Sequence, residues 1–462
     1  MTEQGDHATY RVIAFGSDGT EILLTRSQSS LHFPEVTIPR WERVADNVRS
    51  VMNRDCGEPV LCLFEPESPP CAGAFRYMVT RHWGACGAPL PHLKWVRISD
   101  LSENSFPDPD CYRALQDSLA QCGVSTPHAV SAPFARLNWS EELCGWVSAA
   151  IATRGLYLAG DFRQLNASPT FSLIRFGTNG PAVWFKAVGE PNQHEFRITL
   201  KLTELFPKFL PAIISEQPQW NGWLSIEVKG SELSEARQVE LWETAATALG
   251  ELQTESLERV ADISKAGARS LTSDELMALK RPFFDVMGYL MKQQTKVPPA
   301  VLTDQKLVEL EEHVYDGLTR MHQLGIPAAL GHLDPNPGNM IVSSGSCAFL
   351  DWAEAYVGNP FYTFQYLLEH ARRAFPDDSE VRGRLTRAYA HRWKGFLPPS
   401  TLDEGLRLSS LLAPFAFAVG SPAWRNKENL KDCAIAGYLR SLTRRMSREA
   451  SELSGRSSLC LA

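Results

Sequence analysis

Between residue 8 and about residue 103 the apolar positions come in short runs separated by turn residues. "YRVIAFG" and "EILLTRS" flank "SDGT", which predicts a β-hairpin. Over "IPRWERVADNVRSVMNRDCG" (38–57) the period lengthens. Val44, Val48, Val51 and Met52 fall at helical spacing, with Pro39 and Gly57 suited to the two ends. "PVLCLFEPE", "FRYMVTRHW" and "LKWVRI" return to the strand pattern, so this first region reads as α+β.

"SENSFPDPD" leads to a helix near 110–121, and "GVSTPHAVSAPFARLNWS" (123–140) has the breaker content of a linker. "SEELCGWVSAAIATRG" (140–155) predicts a helix with Ser140 as N-cap and Glu142 in its first turn. From about 160 to 230 strands return: "TFSLIRFGTNGPAVWFKAV" as a hairpin around "TNG", and "GWLSIEVKG" as a further strand. Between them, "EFRITLKLTELFPKFL" is an amphipathic helix. Beyond 231 the pattern is helical except for an island at 330–352. The expected division is a front α+β domain at 1–125, a linker and helix at 126–160, a small β-rich lobe at 161–230 and a helical lobe at 231–462.

Composition narrows the function classes. A chain of 462 residues exceeds one ordinary core, which suggests two or three domains. Net charge is −7, against a polyanion partner such as nucleic acid, and "SLTRRMSR" (441–448) reads as a solvated helix face. The polar start has no apolar leader, and "LLAPFAFAVG" (411–420) is too short for a bilayer and interrupted by a proline. Ten cysteines at irregular spacing, without a CxxC pair, read as reduced thiols of a cytoplasmic protein rather than a zinc site.

The densest chemistry lies in "LGHLDPNPGNMIV" (330–342) and "AFLDWAEA" after it. Asp334 and Asn339, five residues apart on a Pro- and Gly-containing loop, can converge on one point. A strand ending at Asp351 would bring a second carboxylate there. Two carboxylates and an amide oxygen are hard ligands suited to Mg²⁺ that also holds phosphate oxygens, the arrangement phosphoryl transfer needs.

The spacing His-x-Asp-x4-Asn, then Asp-Trp, resembles the aminoglycoside phosphotransferase and choline kinase-like family, which has the protein-kinase fold. The resemblance runs over roughly 135–440. It implies Asp334 as the catalytic residue and Asn339 and Asp351 as metal ligands, with His332 packing the loop from behind. It also implies that Lys186, in "AVWFKAV", grips nucleotide phosphates and that Glu195 pairs with it. "QLNASPTFSLIRF" lacks the GxGxxG of many kinases; Asn166, Ala167 and Ser168 stand there instead, with Asn166 and Ser168 expected at the nucleotide. Asn359 occupies a turn where the family often has Asp. Trp352 and Glu354 are open between packing and substrate contact, and His322 and His370 read as ordinary helix residues.

In outline, 8–103 also resembles a Nudix domain, with "FPEV" where that family often has Leu-Pro-Gly-Gly. Of the motif acids only Glu42 is in place; Ser50-Val51 and Arg54-Asp55 replace the others, which implies a domain without catalysis. The expected function is transfer of the terminal phosphoryl group of ATP or GTP, with Mg²⁺, to a hydroxyl of a small molecule, without a nucleic-acid or membrane partner. The alternative is an inactive, nucleotide-binding regulatory protein. The acceptor and the oligomeric state stay open.

Overall fold

The structure, a computed structural model, describes residues 7–27, 30–66, 75–83, 90–123 and 133–459. The chain divides into two compact units: 1–196 with 212–227, and 197–211 with 228–462.

In the first unit the alternating runs become β1 (His7–Phe15), β2 (Glu21–Ser27), β3 (Ser30–His32) and β4 (Glu35–Pro39), then α1 (Val44–Asp55). β5 (Val60–Phe64), β6 (Arg76–His82) and β7 (Leu93–Arg97) complete a mixed seven-stranded sheet. Its main path is β3-β2-β1-β6-β5, with β4 on β1 and β7 on β2, and β1 and β6 run parallel. All five residues of β5 are buried, so the run reads as continuous rather than alternating. Each Val, Leu or Phe so buried contributes roughly 1.5–3 kcal/mol.

α2 (Pro109–Gln121) and α3 (Trp139–Ala152) follow. Half of the stretch expected to be a linker, residues 124–132 of 123–140, lies outside the described residues. A second, antiparallel sheet of order β11-β12-β10-β9-β8 comprises β8 (Leu158–Ala167), β9 (Ser172–Thr178), β10 (Val183–Ala187), β11 (Ile213–Gln217) and β12 (Gly222–Ile226). α4 (His194–Leu205) carries the chain from the first unit into the second. One core joins Ile13 and Leu63 of the first sheet, Trp139 and Val147 of α3, and Phe176 and Leu224 of the second sheet.

In the second unit the elements are β13 (Ser231–Glu232), α5 (Val239–Ser256), α6 (Val260–Lys265), β14 (Arg269–Leu271), α7 (Ser273–Lys292) and α8 (Asp304–Gln323). Then come β15 (Ala329–His332), β16 (Met340–Ser343), β17 (Ser346–Phe349) and β18 (Ala355–Gly358). The chain ends in α9 (Phe361–Ala374), α10 (Val381–Arg392), α11 (Pro399–Gly420) and α12 (Cys433–Leu459). Two three-stranded sheets, β13-β16-β17 and β14-β18-β15, frame the candidate loop.

Four local expectations are corrected. Pro39 ends strand β4 opposite His7 and does not open α1, which begins at Val44. Ser140 is not the N-cap of α3; Asn138 is, and Ser140 is buried with its hydroxyl 2.6 Å from Arg81. Pro414 does not interrupt the late apolar run. It lies inside α11, where burial of Leu411–Val419 in the core outweighs the roughly 3 kcal/mol cost of a helix proline. The strand island also extends past 352 to β18, and gains β13 and β14. Among the described residues seven cysteines are free thiols, and no helix is long and apolar enough to cross a membrane.

Candidate functional site

The site is built on β15, a strand that runs directly into the candidate loop. Gly331 is required there: a Cβ would strike the Tyr356 ring on the paired strand β18. Thr363, in the first turn of α9, donates its hydroxyl to the His332 carbonyl at 3.1 Å and accepts the His332 N–H at 2.9 Å. Strand and helix are thereby locked at the point where the loop begins.

His332 itself is a bridge. Its Nδ1 accepts the Asp334 N–H at 3.0 Å, and its Nε2 lies 3.1 Å from the Leu350 carbonyl. Burial pushes its pKa down, so it is the neutral imidazole with the proton on Nε2. The Trp352 ring packs against it at 4.9 Å. One residue thus ties the Asp334 loop to the segment carrying Asp351.

Asn339 closes the loop from the other side. Its Nδ2 donates to the Asp334 carbonyl at 3.1 Å and to Asp334 Oδ2 at 3.3 Å, and the Asn339 carbonyl accepts the Leu350 N–H at 2.8 Å. With the amide nitrogen committed to Asp334, Oδ1 is the atom left to meet a cation. Asp351 has φ 62° and ψ 62°, one of two non-glycine residues with positive φ among the described residues. That conformation costs on the order of 1–3 kcal/mol and is characteristic of functional segments.

Glu354 pairs with Arg269, which also donates to the Gly420 carbonyl at 2.9 Å. The Glu354 carbonyl accepts the Leu333 N–H at 2.9 Å. Asn359 accepts the Phe361 N–H on Oδ1 at 2.9 Å, so its amide oxygen supplies the acceptor that an Asp would supply in that turn. Trp352 is a packing residue, donating to the Phe349 carbonyl at 3.2 Å. Sequence reasoning missed Tyr356, and also Arg269 and Thr363, whose partners Glu354 and His332 lie 85 and 31 residues away and leave no local pattern.

The other sequence-predicted residues belong to the first unit. Lys186 on β10 lies 2.5 Å from Glu195 on α4, and the Glu195 side chain is only 2% exposed. The ammonium also lies 5.7 Å from the Trp223 ring and 6.0 Å from the Phe171 ring. Ser168 holds the β8–β9 turn: its hydroxyl accepts the N–H groups of Thr170 and Phe171 at 3.3 and 2.9 Å. Those two amides are thereby turned inward. Asn166 accepts a hydrogen bond from Arg43 at 3.3 Å.

The metal ligands expected from the sequence are Asn339, through its amide oxygen, and Asp351. Among the described residues no group of three or more His, Cys, Asp or Glu is placed to hold an ion.

One protein family matches part of the chain. Residues 216–401 match the profile of the phosphotransferase enzyme family, a span that holds Asp334, Asn339 and Asp351 and begins after Lys186 and Glu195. No curated protein matches the chain. Among solved structures, a macrolide 2'-phosphotransferase from Brachybacterium faecium is 17% identical with a TM-score of 0.43, covering 64% of this chain and 97% of its own. A choline kinase from Cryptosporidium parvum is 11% identical with a TM-score of 0.47, covering 69% and 97%. A spectinomycin phosphotransferase solved with ADP and spectinomycin is 12% identical with a TM-score of 0.40, covering 66% and 98%. Over residues 216–401, therefore, the chain is similar to the phosphotransferase enzyme family.

Proposed function

We propose that the protein transfers the terminal phosphoryl group of a nucleoside triphosphate, ATP or GTP, to a hydroxyl of a small molecule. The observation that carries this reading is the fixing of Asp334 from both sides, by His332 at its N–H and by Asn339 at its carbonyl and carboxylate. A structural aspartate needs no such frame, whereas a general base must be held within hydrogen-bond reach of the proton it takes. Asp334 orients the acceptor hydroxyl and receives its proton as the oxygen attacks the terminal phosphorus, whose bond to the bridging oxygen breaks and releases the nucleoside diphosphate. Lys186, itself oriented by Glu195, offers a point charge for phosphate oxygens. Asn339 and Asp351 would hold Mg²⁺, which when bound neutralises charge on the phosphate oxygens.

We also propose that the front domain is Nudix-like and without that family's chemistry. The acids within α1 are Asp46 and Asp55, and arginines engage both: Arg163 at 2.8 Å from Asp46, Arg54 at 2.5 Å from Asp55. Carboxylates neutralised in this way are poor collectors of metal on a diphosphate.

The test is nucleotide consumption with Mg²⁺ across a panel of hydroxyl acceptors, for wild type and Asp334→Asn. Acceptor-dependent turnover is expected in the wild type, with a loss of about 10²-fold or more in the variant and nucleotide binding retained. Wild-type turnover in Asp334→Asn would exclude the assigned base. Nucleotide binding without turnover in either would identify an inactive regulatory binder.

A further inference from the structure

In the first unit, the helix α1 lies along the strand β8 in a ladder of three rungs. Arg43, the residue capping α1, reaches Asn166 Oδ1 at 3.3 Å. One turn on, Asp46 receives Arg163 through Nε and Nη2 at 3.0 and 2.8 Å. A further turn on, Arg49 donates to the Phe162 carbonyl at 2.9 Å and sits 3.8 Å over the Phe162 ring. The spacing 43, 46, 49 presents one face of a helix, and it reads β8 in reverse order. Trp83, just after β6, packs on the same Phe162 ring at 4.4 Å.

A fourth contact is fully buried. Gln164 is 0% exposed, and its amide spans both backbone groups of Cys62: Oε1 accepts the N–H at 2.9 Å and Nε2 donates to the carbonyl at 2.8 Å. Cys62 lies at the bulge of β5, the end strand of the first sheet's main path. A side-chain amide here does what a neighbouring strand would do. The same strand, β8, leads into the turn at 168–171, where Phe171 lies beside Lys186.

We propose that the front domain is a positioning frame for the β8–β9 hairpin, acting through α1 and β5 to hold the 168–171 turn in register with Lys186. Arg43, Asp46 and Arg49 are its positioning residues, and Gln164 is the β8 side chain that ties the hairpin to β5. The inference rests on the phosphotransferase reading in that it takes the hairpin to lie over nucleotide phosphates. The front domain's contribution is then to nucleotide affinity and not to any chemistry of its own. A loop held in its binding conformation loses less freedom when the nucleotide arrives, which lowers the dissociation constant.

The experiment uses the full chain with Asp46→Arg, Arg163→Asp, the double exchange, and Gln164→Leu. Two quantities are read: the dissociation constant of ATP with Mg²⁺, and hydrogen exchange of the 162–174 amides without nucleotide. Each single charge reversal should raise the dissociation constant by about 5-fold, in keeping with a partly exposed ion pair, and speed exchange in the hairpin. The double exchange should restore both. Gln164→Leu should weaken binding more, because it strands two backbone groups of β5. At saturating nucleotide, kcat should stay within about 2-fold of wild type, since no reacting group is touched. Faster exchange with unchanged ATP affinity would overturn the positioning role while leaving the phosphotransferase reading in place. Failure of the double exchange to restore affinity would overturn it too. A wild type that binds no nucleotide would remove that reading and the inference with it.

Discussion

The closeness of Asp334 and Asn339 was legible, because five residues on a tight Pro- and Gly-containing loop leave little room to part, and Asn339 does donate to Asp334. The frame around them was not. Thr363 meets His332 across 31 residues, and Arg269 meets Glu354 across 85. An arginine or threonine at such distances has no periodicity to announce it. Lys186 and Asp351 make a separable pair of predictions at this scale. Lys186→Ala should raise the nucleotide KM at any Mg²⁺ concentration, because the proposed function assigns its charge to phosphate oxygens. Asp351→Asn should shift the Mg²⁺ requirement upward and be partly rescued by excess metal, because a charged hard ligand becomes neutral. Titrations of rate against nucleotide and against Mg²⁺ check both, and identical, metal-independent losses would contradict the division.

Elements were read well where burial on one face imposes a period, and poorly where a few residues are recruited from outside. α1, α3 and the β9–β10 hairpin follow their patterns, whereas β13, β14 and β18, two to four residues long, exist only because neighbours pair with them. Pro39 and Pro414 misled for one reason: a proline excludes a hydrogen bond but does not say whether packing compensates. α9 carries a pH consequence. His370 lies 4.7 Å from the Tyr366 ring, beside Glu369, Arg373 and Arg445; burial, with Arg373 adding to it, holds its pKa at about 4. An unfolded chain takes up that proton near pH 6.5, the folded protein only near 4, so stability is full above 6.5 and is lost as pH falls through this interval. His332, also shifted down, adds with the same sign. Urea unfolding at pH 7 and pH 5 should show a smaller loss in His370→Gln than in wild type.

At the scale of the whole molecule, the four sequence segments condense into two units, and a core shared by Ile13, Trp139 and Leu224 joins the front sheet to the sheet of Lys186. Hydrophobic pattern tells which residues are buried but not what buries them, so this merger had no signal. Removal of residues 1–125 should therefore expose the faces of α3 and β8. The shortened chain should lose its Mg²⁺-ATP-dependent gain in thermal stability, or fail to accumulate as a soluble protein. A truncated protein with wild-type melting and an undiminished nucleotide shift would show the front sheet to be dispensable.

The Gln164–Cys62 contact has one more consequence, and it concerns the ribosome. The two residues are 102 positions apart, so β5 emerges well before the amide that caps it. At ordinary elongation rates the wait is roughly 5–20 s. Throughout it, an apolar strand with an unpaired edge, Val60–Phe64, is available to any other nascent chain. Synthesis of this protein thus passes through an interval of self-association risk that the finished fold conceals, and slowing translation between residues 64 and 164 should lower the soluble yield.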